Sequence, residues 1–114
     1  MVVSSQMRTF PKSLAAFRKI VNEKGQRLRQ LTFDDLKQLI RPLEKGTVEH
    51  LTVDSRPATI GIIVEATGDG VLRVVVQGFM KGRFLGNSVA LDGFYKYSDG
   101  SMSPMPDDEF RRFD

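Results

Sequence analysis

A chain of 114 residues with a formal charge of +3, 40% hydrophobic and 27% charged side chains has the size and make-up of one globular domain. It has no cysteine and a single histidine, which excludes disulfides, thiolate zinc sites, thiol nucleophiles and histidine pairs, and which fits a reducing, cytoplasmic compartment. Nowhere do about 18 apolar residues run together, so no membrane span is expected.

Charge divides the chain in two. Residues 1–46 hold ten basic residues against four acidic ones, and residues 47–114 hold seven against ten. The division coincides with a change from helical to strand-like periodicity. A basic helical layer on a near-neutral to acidic sheet is the expectation.

Residues 1–9 have neither a long apolar run nor a charged lead-in, so they read as a flexible leader and not as a secretory signal. Phe10, Leu14, Phe17 and Val21 then recur at the spacing that lines one face of a helix. Pro11 suits its first turn, and Gly25 reads as its stop, with Lys24 at the negative end of the helix dipole. A connector with Leu28 and Leu31 follows. Thr32 opens a second helix, with Asp35 three residues on in the manner of a capping box. Its apolar stripe is Phe33, Leu36, Ile40 and Leu43, and Pro42 and Gly46 end it. Residues 10–46 are thus a helical layer.

Residues 47–105 read as an antiparallel sheet. Val48 to Asp54 is one strand, and Ser55-Arg56-Pro57 is a turn. The β-branched stretch around Ile60 to Val64 and the strand from Val71 to Phe79 flank Thr67-Gly68-Asp69-Gly70, a hairpin. Val89 to Tyr97 and Ser101 to Met105 flank Ser98-Asp99-Gly100, a second hairpin. Residues 106–114 read as one helical turn, with Phe110 and Phe113 docking on the body. The fold class expected is therefore α+β: two N-terminal helices on one face of a four- to five-stranded antiparallel meander, with a half-barrel as its curved variant.

Candidate chemistry is sparse. His50, Thr52 and Asp54 share a direction on a strand, but a catalytic zinc takes three protein ligands, so no metal is expected. Glu65 and Asp92 are the carboxylates best placed to serve as an acid–base pair across strands. Gly68-Asp69-Gly70 joins two strands and offers no helix start to a phosphate. No catalytic set and no cofactor site can be assembled.

Two binding candidates remain. Segment 78–86 interleaves Lys81 and Arg83 with Phe79 and Phe84, the composition of a single-strand stacking platform, although core packing of both rings is the plainer expectation. Together with Lys12, Arg18, Lys19, Arg27 and Arg29 of the helical layer it forms the nucleic-acid reading. Tyr95 and Tyr97 share a strand face and suit a protein partner, with packing against Met102 and Pro104 as the plainer alternative. The run from Asp92 to Ser101 has the look of a motif with no activity attached.

A non-enzymatic binding module ranks first, nucleic-acid binding second, and a small enzyme with carboxylates in a sheet cavity third. Ile62-Ile63-Val64 and Val74-Val75-Val76 put apolar groups on both sheet faces, while the helices cover only one. A homodimer through the sheet is therefore expected.

Overall fold

The computed structural model describes the backbone of residues 2–40, 47–81 and 87–110, and the side chains of 14–40, 48–80 and 90–110. Helix α1 spans Val2–Arg29 and α2 spans Phe33–Lys37. Strands β1 (Thr47–Val53), β2 (Arg56–Gly68), β3 (Val71–Lys81), β4 (Asn87–Tyr97) and β5 (Met102–Pro104) follow, and α3 (Asp107–Phe110) comes last. The α+β expectation holds: one five-stranded antiparallel sheet in the order β1-β2-β3-β4-β5 carries the helices.

α1 departs from the sequence reading at both ends. Residues 2–9, expected as a leader, are helical in backbone, and the helix runs through Gly25 without stopping. Phe17, Val21, Gly25 and Leu28 form its buried stripe, the i, i+4, i+8, i+11 spacing of one face. Gly25 is there for room. A Cβ at that position would lie 1.8 Å from Asp92 Oδ2 on β4. Gly78 on β3 serves the same purpose one strand over, where an added Cβ would meet Phe17 at 2.6 Å and Val21 at 2.8 Å.

The second helix is shorter than its periodicity suggests. Thr32 caps it as expected, its Oγ1 accepting from the Asp35 backbone N–H at 3.1 Å. Leu36 is fully buried, but Ile40 is exposed, and Leu43, Pro42 and Gly46 lie outside the described residues.

The first strand turn is Asp54–Ser55, both at positive φ (48° and 65°), the backbone of a two-residue hairpin turn whose twist matches the strands. Arg56 and Pro57, expected in that turn, belong to β2. Gly70 and Gly100, at φ 70° and 91°, close the β2–β3 and β4–β5 hairpins where the sequence placed them.

Register sorts the strand residues into two faces. Ile60, Gly78 and Ala90 pair across β2, β3 and β4, as do Val64, Val74 and Phe94. All of these face α1, and they form the core with Phe17, Val21, Leu28 and Leu36. Val75 belongs to the opposite, far face. Its β4 neighbour is Gly93, and Met105 lies over Gly93, with Cε and Sδ 3.0 Å from where a Cβ would stand. The chain's own C-terminal segment therefore covers this part of the far face, a role the sequence reading left to a second subunit or to curvature.

Candidate functional site

The far face has a covered half and an open half. In the covered half, Glu65 on β2, Arg73 on β3 and Tyr95 on β4 stand in one row. Arg73 Nη2 donates to Glu65 Oε2 at 2.9 Å, and Arg73 Nη1 lies 3.7 Å from Glu109 Oε2 of α3. Tyr95 donates its hydroxyl proton to the same Glu109 carboxylate. Burial raises the Tyr95 phenol above its ordinary pKa, and the bond to Glu109 adds to this. For Arg73, burial alone would lower the pKa, but the charge and hydrogen bond of Glu65 outweigh it and the value is raised. These contacts strap α3 across β3 and β4.

In the open half, β1, β2 and β3 set His50, Thr59 and Phe79 in one row. The next row sets Val48 beside Gly61, which has no side chain to shield it. Val48 is 55% exposed and Phe79 39% exposed. A shallow groove of about 630 Å³ runs along this area, lined by His50, Thr52, Pro57, Thr59 and Phe79 among others. The expectation that Phe79 packs in the core is overturned: Gly78 takes the core-facing position in that row, and strand alternation turns Phe79 outward.

The residues singled out for nucleic acid do not come together among the described side chains. Arg18, Lys19 and Arg27 are exposed. Arg18 and Arg27 are nine residues apart on one helix, about two and a half turns, and so project from opposite sides of it. Arg29 is turned inward. Its Nη1 and Nη2 donate to Asp92 Oδ2 and Oδ1 at 2.6 and 3.0 Å, and its guanidinium lies 4.7 Å from the Phe94 ring centre. The hydrogen bonds to Asp92 raise the Arg29 pKa against the effect of burial. Lys12 lies on α1 and Lys81 ends β3, with side chains outside the described residues; Arg83 and Phe84 lie outside them altogether.

Tyr95 and Tyr97 do share a face, but they are engaged from within the chain. Tyr97 Oη lies 2.9 Å from Ser103 Oγ, and Tyr95 is held by Glu109. Met102 and Pro104 pair with Lys96 and Phe94 on the other face, so they are not the tyrosines' packing partners.

The carboxylates are dispersed. Glu65 lies on the far face and Asp92 on the α1 face, so they cannot act on one substrate as a pair. Glu49 pairs with Lys24 of α1. His50 and Thr52 share a face as expected, whereas Asp54 sits in the turn. Among the described residues no group of three or more His, Asp or Glu side chains gathers as metal ligands do, and no helix is long and apolar enough to cross a membrane.

Lys96 was missed in the sequence. It is 6% exposed, and its Nζ donates to the Arg29 carbonyl at 3.2 Å, which places a cation at the C-terminal end of α1 where the helix dipole favours one. It also borders a hollow of about 320 Å³ between residues 30–34 and the β4–β5 turn. Its signal in the sequence was parity alone: flanked by Tyr95 and Tyr97, it faces the other way. Comparison of the chain with family models, with curated proteins and with solved structures returns no match.

Proposed function

We propose that this chain is a small non-enzymatic binding module that works by self-association through its sheet. The observation that carries the reading is the open half of the far face. Val48 and Phe79 stand exposed there beside a groove, next to a half that the C-terminal segment has already sealed. Exposed apolar side chains beside a groove, next to a half that is covered, support an interaction surface there. The carboxylates support the same reading, because Asp92, Glu49, Glu65 and Glu109 all serve internal ion pairs. Light scattering at micromolar concentration tests it. A particle of twice the 12.8 kDa chain mass supports the reading, and a strict monomer contradicts it.

A further inference from the structure

We propose that the outer edge of β1 is where a second copy of this chain docks, by antiparallel pairing of the two β1 strands about a two-fold axis at His50. The inference rests on the self-association reading above and places the contact at the edge of the open half, where Val48 stands, while Phe79 on β3 lies outside it.

The two edges of the sheet differ. β5 is three residues long, contains Pro104 and runs into Pro106 and α3. Short length and proline are the devices that blunt an edge. β1 is seven residues long, has no proline, and pairs with β2 on one side only among the described residues. Thr47, Val48, Thr52 and Val53 are β-branched, the composition that favours strand pairing. Its one acid, Glu49, lies on the α1 face and is held by Lys24. Such an edge is a template for another strand.

The strand itself argues for a second copy as the occupant. Thr47-Val48-Glu49-His50-Leu51-Thr52-Val53 has nearly the same shape read in either direction, because Thr and Val exchange places about His50. A two-fold pairing that keeps each face together must centre on a residue. Centring on Glu49 sets two carboxylates opposite each other, which repel. Centring on Leu51 leaves Thr47 and Val48 overhanging. Centring on His50 uses the whole strand: Val48 meets the partner's Thr52, Glu49 meets the partner's Leu51, and the histidines face each other on the axis. The exposed Val48 gains a β-branched neighbour.

In this register the two His50 side chains meet across the axis. The groups facing His50 are Val48 and Thr52 on β1, Thr59 on β2 and Phe79 on β3, none of them charged. Glu49 and Arg56 lie on the other face, Asp54 sits in the turn, and Lys81 is on this face by register with its side chain outside the described residues.

Sedimentation equilibrium on the full chain tests the register. Val48→Lys with Thr52→Lys places like charges opposite one another twice, and the dimer should weaken about tenfold. Val48→Lys with Thr52→Glu places opposite charges there, and should restore association to within about threefold of wild type. Both positions are exposed, and matched thermal melts check that the variants are folded. Equal association of the two charge variants overturns the edge register. If Phe79→Asp then abolishes a dimer that both charge variants retain, the sheet face is the interface: self-association stands and the edge does not. A monomeric wild type overturns both.

Discussion

Gly25 and Asp92 meet where α1 crosses β4, so closely that a Cβ on Gly25 would stand 1.8 Å from the Asp92 carboxylate. That carboxylate is the one that receives both arms of Arg29, one helical turn further on. The missing side chain of one residue thus makes room for the ion pair of another. In a helix interior Gly→Ala is ordinarily favourable by about 0.5–1 kcal/mol. Here the added methyl must displace a part-buried, hydrogen-bonded carboxylate, and Gly25→Ala should cost about 1–3 kcal/mol net. Urea denaturation decides between the two signs.

Phe17 and Leu36 anchor the helices, and both are fully buried. Phe17→Ala should cost about 3–5 kcal/mol and Leu36→Ala about 2–5 kcal/mol. Gly78→Ala should cost about 1–3 kcal/mol through overpacking against the Phe17 ring. Combining it with Phe17→Ala removes that clash, while the Val21 methyl 2.8 Å from the new Cβ remains. A double-mutant cycle should therefore show coupling of about 1 kcal/mol. Strict additivity would mean that the ring does not rest on Gly78.

The elements that were legible in the sequence are those set by local chemistry. Phe17, Val21 and Leu36 lie on helical stripes, Thr32 and Asp35 are a cap, and Gly70 and Gly100 are turns, so each announces itself within a few residues. Gly25 looks the same whether it ends a helix or lets one pass close to a sheet, and only the approach of β4 decides. Phe79 and Lys96 were misread for one reason: which face a strand residue takes depends on register with strands far off in sequence. The open half of the far face was hidden because the segment covering Val75, centred on Met105, is thirty residues away.

The strap formed by α3 has a spectroscopic signature. Tyr95 should ionise above the ordinary phenol value, through burial first and the Glu109 contact second. A group whose folded pKa is raised contributes stability that is present below its unfolded value and lost as pH rises through the folded one. Ultraviolet titration should therefore show Tyr95 ionising late, accompanied by loosening of the C-terminal segment in alkali. Glu109→Gln should bring that tyrosine down while burial keeps part of the shift. An unchanged titration would place Glu109 away from the ring.

Asp99 offers the opposite sign at the β4–β5 turn. Its Oδ1 accepts from the Ser101 hydroxyl at 2.6 Å and from the Ser101 N–H at 2.8 Å, and the hydroxyl bond foremost lowers its pKa. The contribution to turn stability is present above the unfolded value and fades as pH falls through the folded one. Carboxyl NMR titration should find Asp99 below the ordinary aspartate range. Ser101→Ala should move it back up, and failure to do so would mean that the hydroxyl is not its principal partner.

Sedimentation velocity on the wild-type chain, diluted from high micromolar to nanomolar concentration near neutral pH, tests the central claim most directly. Self-association through the sheet predicts a boundary that shifts from twice the 12.8 kDa chain mass to the monomer on dilution. A single 12.8 kDa species across the whole range would contradict it.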